Sequence, residues 1–160
     1  MAISVGDKLP STTFMTMTAN GPEAVESDAY FAGRRVALFS VPGAFTPTCS
    51  AKHLPGFIEK ADALKAKGID EIACTAVNDA FVMGAWAKSA EVGDSVKMLA
   101  DGNGAFVKAL GLEMDGSKFG MGGRGQRFSL VAKDGVVEQL NVEAPGDFKL
   151  SSAEHMLETL

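Results

Sequence analysis

Residues 36–77 constrain the fold most. Val36-Ala37-Leu38-Phe39-Ser40-Val41 is a short, mostly apolar run, β-branched at its ends and stopped by Pro42-Gly43, and it reads as a buried strand. Leu54, Phe57, Ile58, Ala61 and Leu64 then recur at helical spacing among Lys52, Glu59, Lys60, Asp62 and Lys65, an amphipathic helix that stops at Gly68. Glu71-Ile72-Ala73-Cys74-Thr75-Ala76-Val77 follows as a second buried strand. Strand, helix and strand in this order predict parallel pairing and an α/β domain. Pro55 falls inside the helical pattern, so it either kinks the helix or ends a short turn before a second helix begins. Both leave the turn ahead of it free to unwind without dismantling the rest.

The remaining segments fit around this unit. Thr12 to Met17 before Asn20-Gly21 suggest short strands about a turn, and Phe81, Val82, Ala85 and Trp86 share one helical face. Val96 to Leu99 reads as a brief strand and Gly104 to Leu110 as a short helix. Arg127 to Ala132 and Val136 to Val142 flank Lys133-Asp134-Gly135, a strong hairpin signal. The expectation is a central mixed β-sheet flanked by helices, in one domain over residues 1–160, since 160 residues at 46% hydrophobic content suffice for one core.

Several classes are disfavoured. A net charge of −5 with 15 Lys and Arg argues against a nucleic-acid binder. No apolar run approaches membrane-spanning length, and Met1 to Asp7 lacks the basic flank and apolar core of a leader, so a cytosolic protein is expected. Two cysteines make no disulfide framework and suit a reducing compartment. With no Cys-x-x-Cys, metal-ligand cluster or phosphate-binding glycine fingerprint, no cofactor is expected.

Chemistry concentrates at the end of the first buried strand, where open α/β sheets present their ligands. Thr46 is a good N-cap, Pro47 then occupies the first helical position, and Cys49 becomes the third helical residue. Unpaired backbone N–H groups and the helix dipole there favour a thiolate over a thiol. Thr46 can accept a backbone N–H while its own hydroxyl proton points at the sulfur. At about 100° per residue, Cys49 and His53 lie beside the buried stripe, which leaves the thiol shielded but reachable. The competing reading is a buried structural cysteine ahead of a helix.

Pro42, Thr46 and Cys49 match a Pro-x-x-x-Thr-x-x-Cys signature, and Cys49-Ser50-Ala51-Lys52-His53-Leu54-Pro55-Gly56-Phe57 continues it. In these residues the chain resembles the peroxiredoxins, in the subgroup of animal mitochondrial and peroxisomal forms, plant type II forms and bacterial relatives. The likeness runs from Val5-Gly6-Asp7 through Gln126-Arg127-Phe128-Ser129 to Leu140-Asn141-Val142-Glu143. It implies a thioredoxin-like fold, a homodimer, Cys49 as the peroxidatic cysteine, Thr46 and Arg127 hydrogen-bonded to thiolate and peroxide, and Pro42 shielding the sulfur. From the sequence alone Arg124, on the loop Gly122 to Gly125, is as plausible an active-site cation as Arg127; the resemblance decides for Arg127.

The chemistry implied is reduction of hydrogen peroxide and organic hydroperoxides through a Cys49 sulfenic acid. An external thiol, glutathione with glutaredoxin or thioredoxin, must then restore Cys49. Animal members carry a resolving cysteine near the C-terminus, where this chain reads Leu150-Ser151-Ser152. Cys74, in a buried strand, reads as a small core residue, although similar plant proteins carry a second cysteine near this position and its resolving role stays open. His53 reads as a structural histidine bonded to nearby backbone rather than as an electrostatic stabiliser of the thiolate or a general base, and Trp86, Phe119 and Met121 read as core, with a pocket lining or subunit contact as the alternative. A thiol–disulfide oxidoreductase or redox sensor on the same fold and a chaperone-like interaction module are the competing functions.

Overall fold

A computed structural model describes residues 2–160. The chain opens with a hairpin, β1 (Thr13–Thr18) and β2 (Gly21–Glu26), followed by the short α1 (Ser27–Phe31) and the buried strand β3 (Arg35–Ser40). A π-helical turn, Cys49–His53, runs into α2 (Leu54–Glu59), and after a break at Lys60 the pattern continues as α3 (Ala61–Ala66). Gly68, at φ +97, ends it, as the sequence predicts.

Next come β4 (Glu71–Ala76), α4 (Ala80–Ser89), β5 (Lys97–Ala100), α5 (Ala105–Leu110) and β6 (Glu113–Asp115). A 3-10 turn, Ser117–Phe119, leads to β7 (Gly123–Gly125), the hairpin of β8 (Phe128–Lys133) and β9 (Val136–Val142), and α6 (Ala153–Thr159). The hairpin turn holds Asp134 and Gly135 at φ 49 and 78, the left-handed pair that an Asp-Gly turn requires.

The main sheet is mixed and seven-stranded, in the order β2-β1-β5-β4-β3-β8-β9. Its parallel pairs are β3–β4 and β4–β5, the crossover geometry read from residues 36–77, while the hairpins add antiparallel strands on both sides. Alternation along each strand divides the core. Phe39, Ile72, Cys74 and Val131 face Cys49, Leu54 and Phe57, whereas Val36, Leu38, Leu130 and Ala132 face α5 through Phe106 and Leu110.

Register decides where the site forms. Ser40 pairs with Phe128, which pairs in turn with Val142. The next residues along, Val41, Arg127 and Glu143, therefore meet at one end of the sheet, and Glu143 N–H donates to Arg127 O at 3.0 Å.

Three local expectations are corrected, and one element is added. Gly123 to Gly125 is a strand paired with β6 rather than a flexible loop. The buried face of α4 is Ala80, Met83 and Trp86, with Phe81 65% exposed and Ala85 also outside. Gly84 sets that rotation, because any Cβ there would stand 2.9 Å from Met17 Cβ of β1. Phe119, at 77% exposure, is surface rather than core, since the short turn carrying it stands off the sheet. Finally, α6 carries no sequence expectation, yet it buries Ala153 and Met156 beneath a Ser152 N-cap.

Candidate active site

The loop after β3 delivers the cysteine. Phe45 adopts φ +65, a conformation that costs a non-glycine residue energy, and Ala44 N–H is anchored on Asn78 Oδ1 at 2.9 Å. Helical conformation begins at Pro47, with Ser50 N–H donating to Thr46 O at 2.9 Å, so Thr46 and Pro47 occupy the cap and first helical positions. The Thr46 hydroxyl proton is directed differently from the sequence reading. It goes to Gly43 O at 2.7 Å, a closed local turn, which leaves the Thr46 oxygen an acceptor.

The π-turn follows from Pro55. That residue offers no N–H to Ala51 O, and its ring would collide with that carbonyl in a regular helix. The chain widens instead, and Leu54 N–H reaches back five residues to Cys49 O. Cys49 and His53 both become fully buried, at 0% exposure. The cysteine is therefore more shielded than its helical angle suggests, and it lies behind a cleft of about 320 Å³ lined by Pro42, Thr48, Met114, Gln126 and Arg127 among others.

Arg127 is the residue that joins cleft and sulfur. Its Nη2 lies 3.0 Å from Cys49 Sγ, and its Nη1 lies 2.8 Å from His53 Nδ1. Arginine only donates, so Nδ1 carries the lone pair; His53 Nε2, 2.9 Å from Ser151 O, must carry the proton. His53 is thus a neutral imidazole, with its pKa lowered from 6.5 to about 3 by burial and by the Arg127 charge. It packs among Phe39, Phe57 and Phe148, and Phe148 also lies 5.8 Å beneath the guanidinium. Among the described residues no carboxylate forms an ion pair with Arg127, so its charge faces the sulfur undiminished.

The other candidates separate from this centre. Arg124 donates through Nε to Met121 O at 3.0 Å and through Nη1 to Pro42 O at 3.4 Å, bracing the proline loop rather than touching sulfur. Cys74 is fully buried on the same face of the sheet as Cys49; burial first, then the neighbouring Cys49, pushes its thiol well above the ordinary range. Trp86, 1% exposed, donates to Ser50 Oγ at 3.1 Å and so reports on the turn that carries Cys49. A larger cleft of about 750 Å³ between α4 and strands β1 and β5 carries neither cysteine nor histidine.

Sequence reasoning did not single out Asn78, Glu143 or Ser151. Asn78, directly before the Asp79 cap of α4, has the local look of a capping loop, and nothing in the sequence aims it at Ala44.

The site is thus a buried cysteine under an arginine, on the helical turn that follows a parallel strand of an α/β scaffold. The Redoxin family matches residues 4–157. The chain is 48% identical to Peroxiredoxin-2B of Arabidopsis thaliana over 159 residues, covering 99% of this chain and 98% of that one. It is 55% identical to the chloroplastic Peroxiredoxin-2E-2 of Oryza sativa subsp. japonica, covering 99% and 72%. Among solved structures, reduced Prx3 of Vibrio vulnificus in complex with hydrogen peroxide superposes with a TM-score of 0.94 at 51% identity, covering 98% of both chains. The chain belongs to the peroxiredoxins, in the subgroup of the plant type II forms and their bacterial relatives. Its fold is thioredoxin-like, and it is an oxidoreductase that reduces peroxide at the expense of a thiol.

Proposed function

We propose that Cys49 is the peroxidatic cysteine, acting on hydrogen peroxide and small organic hydroperoxides. The observation that carries this reading is the 3.0 Å contact between Arg127 Nη2 and Cys49 Sγ at the inner wall of the cleft. The thiolate attacks the terminal peroxide oxygen, an S–O bond forms as the O–O bond breaks, and the departing oxygen takes a proton to leave as water or alcohol. Cys49 is oxidised by two electrons to the sulfenic acid. Arg127 and the backbone N–H of Cys49 stabilise the charge that moves onto the leaving oxygen, Thr46 Oγ1 accepts the peroxide hydrogen, and Pro42 keeps bulk water from the sulfur.

Glutathione with glutaredoxin is the proposed first reductant. Cys74 is buried and protonated, and no cysteine stands at Leu150-Ser151-Ser152, which favours an external thiol over an internal one. Phe45, Phe81 and Phe119, exposed at 53%, 65% and 77%, support a homodimer that covers apolar surface. Dependence on a thiol reductant suits a cytoplasmic location. Peroxide consumption tests the reading: Cys49→Ser abolishes turnover with every reductant, and wild-type turnover in that variant refutes it. Cys74→Ala keeps turnover with glutathione and glutaredoxin; arrest after one cycle with all thiols assigns Cys74 the resolving role instead.

A further inference from the structure

Arginine is a long, flexible side chain that keeps one pose only where its other donors are fixed. Here the fixing partner is neutral, which matters because a carboxylate at the same place would cancel the charge offered to the sulfur. His53 acts as that neutral acceptor because Ser151 O takes its Nε2 proton at 2.9 Å, holding the ring in one tautomer with Nδ1 open to Arg127.

Ser151 O is itself held in place. Glu143 Oε2 accepts the backbone N–H groups of Lys149, Leu150 and Ser151 at 2.8, 2.8 and 2.7 Å and the Ser151 hydroxyl at 2.7 Å. Glu143 is 5% exposed, and Ser151 and His53 are wholly buried. The same residue donates its own N–H to Arg127 O at 3.0 Å. Arg127 is therefore gripped at both ends from the one residue that follows β9: its backbone directly, its guanidinium through Ser151 and His53.

We propose that Glu143 is a positioning residue for the peroxidase reaction, holding the Arg127 guanidinium on the Cys49 sulfur through the Lys149–Ser151 backbone and a neutral His53. This rests on the reading of Cys49 and Arg127 as the peroxidatic centre. The strap occupies the segment next to α6, so the C-terminal part of the chain acts on the thiolate without contributing a thiol.

Three variants test it, read by single-turnover peroxide consumption and by the pH–rate profile of Cys49 alkylation with iodoacetamide. His53→Leu and Glu143→Gln each slow peroxide consumption on the order of tenfold or more and shift the alkylation profile to higher pH. His53→Asn, whose Oδ1 stands where Nδ1 stood but which has no group that reaches Ser151 O, recovers only part of the loss and stays measurably below wild type. A Glu143→Gln enzyme with wild-type rate and profile overturns the proposal, as does a folded His53→Asn enzyme with wild-type rate and profile, since that variant has lost the link to Ser151 O. Should His53→Leu fail to fold, Glu143→Gln decides alone. Arg127→Gln separates the two levels: a slow Arg127→Gln beside an unchanged Glu143→Gln sinks the positioning role only, whereas a wild-type rate in Arg127→Gln sinks the peroxidatic centre and the proposal with it.

Discussion

Burying a neutral histidine against an arginine makes this fold sensitive to mild acid. In the folded chain His53 takes up a proton only near pH 3, whereas in the unfolded chain it does so near 6.5. Burial is the larger cause and the Arg127 charge the second, outweighing the opposing pull of Ser151 O and Glu143. The unfolded state therefore binds the extra proton first, so the stabilisation is complete above pH 6.5 and is lost as pH falls toward 3. At about pH 5 the unfolded imidazole is favoured by roughly 2 kcal/mol, the logarithm of its protonation ratio taken over ~1.5 pH units. For a chain of this length that lowers Tm by about 4–8 °C. Ordinary carboxylates are still ionised at about pH 5. Of the charged groups facing His53, Arg127 stays cationic, and Glu143 stays anionic: burial alone would raise its pKa, but the hydrogen bonds from Ser151, Lys149 and Leu150 outweigh burial and hold it below the usual range. Thermal unfolding of wild type and His53→Asn from about pH 7.5 to 5 isolates the effect, since every other group is common to both. Wild-type Tm falls over this range by several degrees more than that of the variant; parallel curves would refute a neutral, buried His53.

Arg127→Gln removes the donor at 3.0 Å from Cys49 Sγ and should cost about 10²–10³ in the rate of sulfenic acid formation, measured by stopped-flow with reduced enzyme; a loss below fivefold, roughly 1 kcal/mol, contradicts a role in charge stabilisation. Trp86 is the only tryptophan and is bonded to Ser50, so its emission should change when Cys49 is oxidised and its turn rearranges, and should stay constant when Cys49→Ser is given peroxide. Gly125→Ala puts a Cβ 2.9 Å from Val107 Cγ2 and 3.3 Å from Ser40 Oγ, and calorimetry should show a loss of about 1–3 kcal/mol; an unchanged Tm would mean that α5 and β7 separate freely.

The strand–helix–strand core was legible in the sequence because each of its elements carries its own period. Val36 to Val41 and Glu71 to Val77 are too apolar to sit outside a sheet, and the Leu54 to Leu64 spacing supports only a helix. The cap at Thr46 was legible for the same local reason, since Thr-Pro fixes a helix start. Where the Thr46 proton goes was not, because that depends on the φ +65 conformation of Phe45 bringing Gly43 O within reach. The centre around the sulfur lies further from the sequence still. Arg127, Glu143 and Val41 meet because two antiparallel registers align Ser40, Phe128 and Val142; a one-residue slip of β8 on β3 would send Arg127 to the opposite face of the sheet, and a slip of β9 on β8 would do the same to Glu143. His53 marks the same boundary. Its position one turn after Cys49 is visible in the sequence, but its protonation state is set by Ser151 and Arg127, which lie 98 and 74 residues away. Local pattern thus places the nucleophile, and strand register supplies the charge beside it. Single substitutions on β8 or β9 that shift register without touching the Cys49 segment should therefore abolish peroxidase chemistry while leaving the helix that carries the cysteine intact.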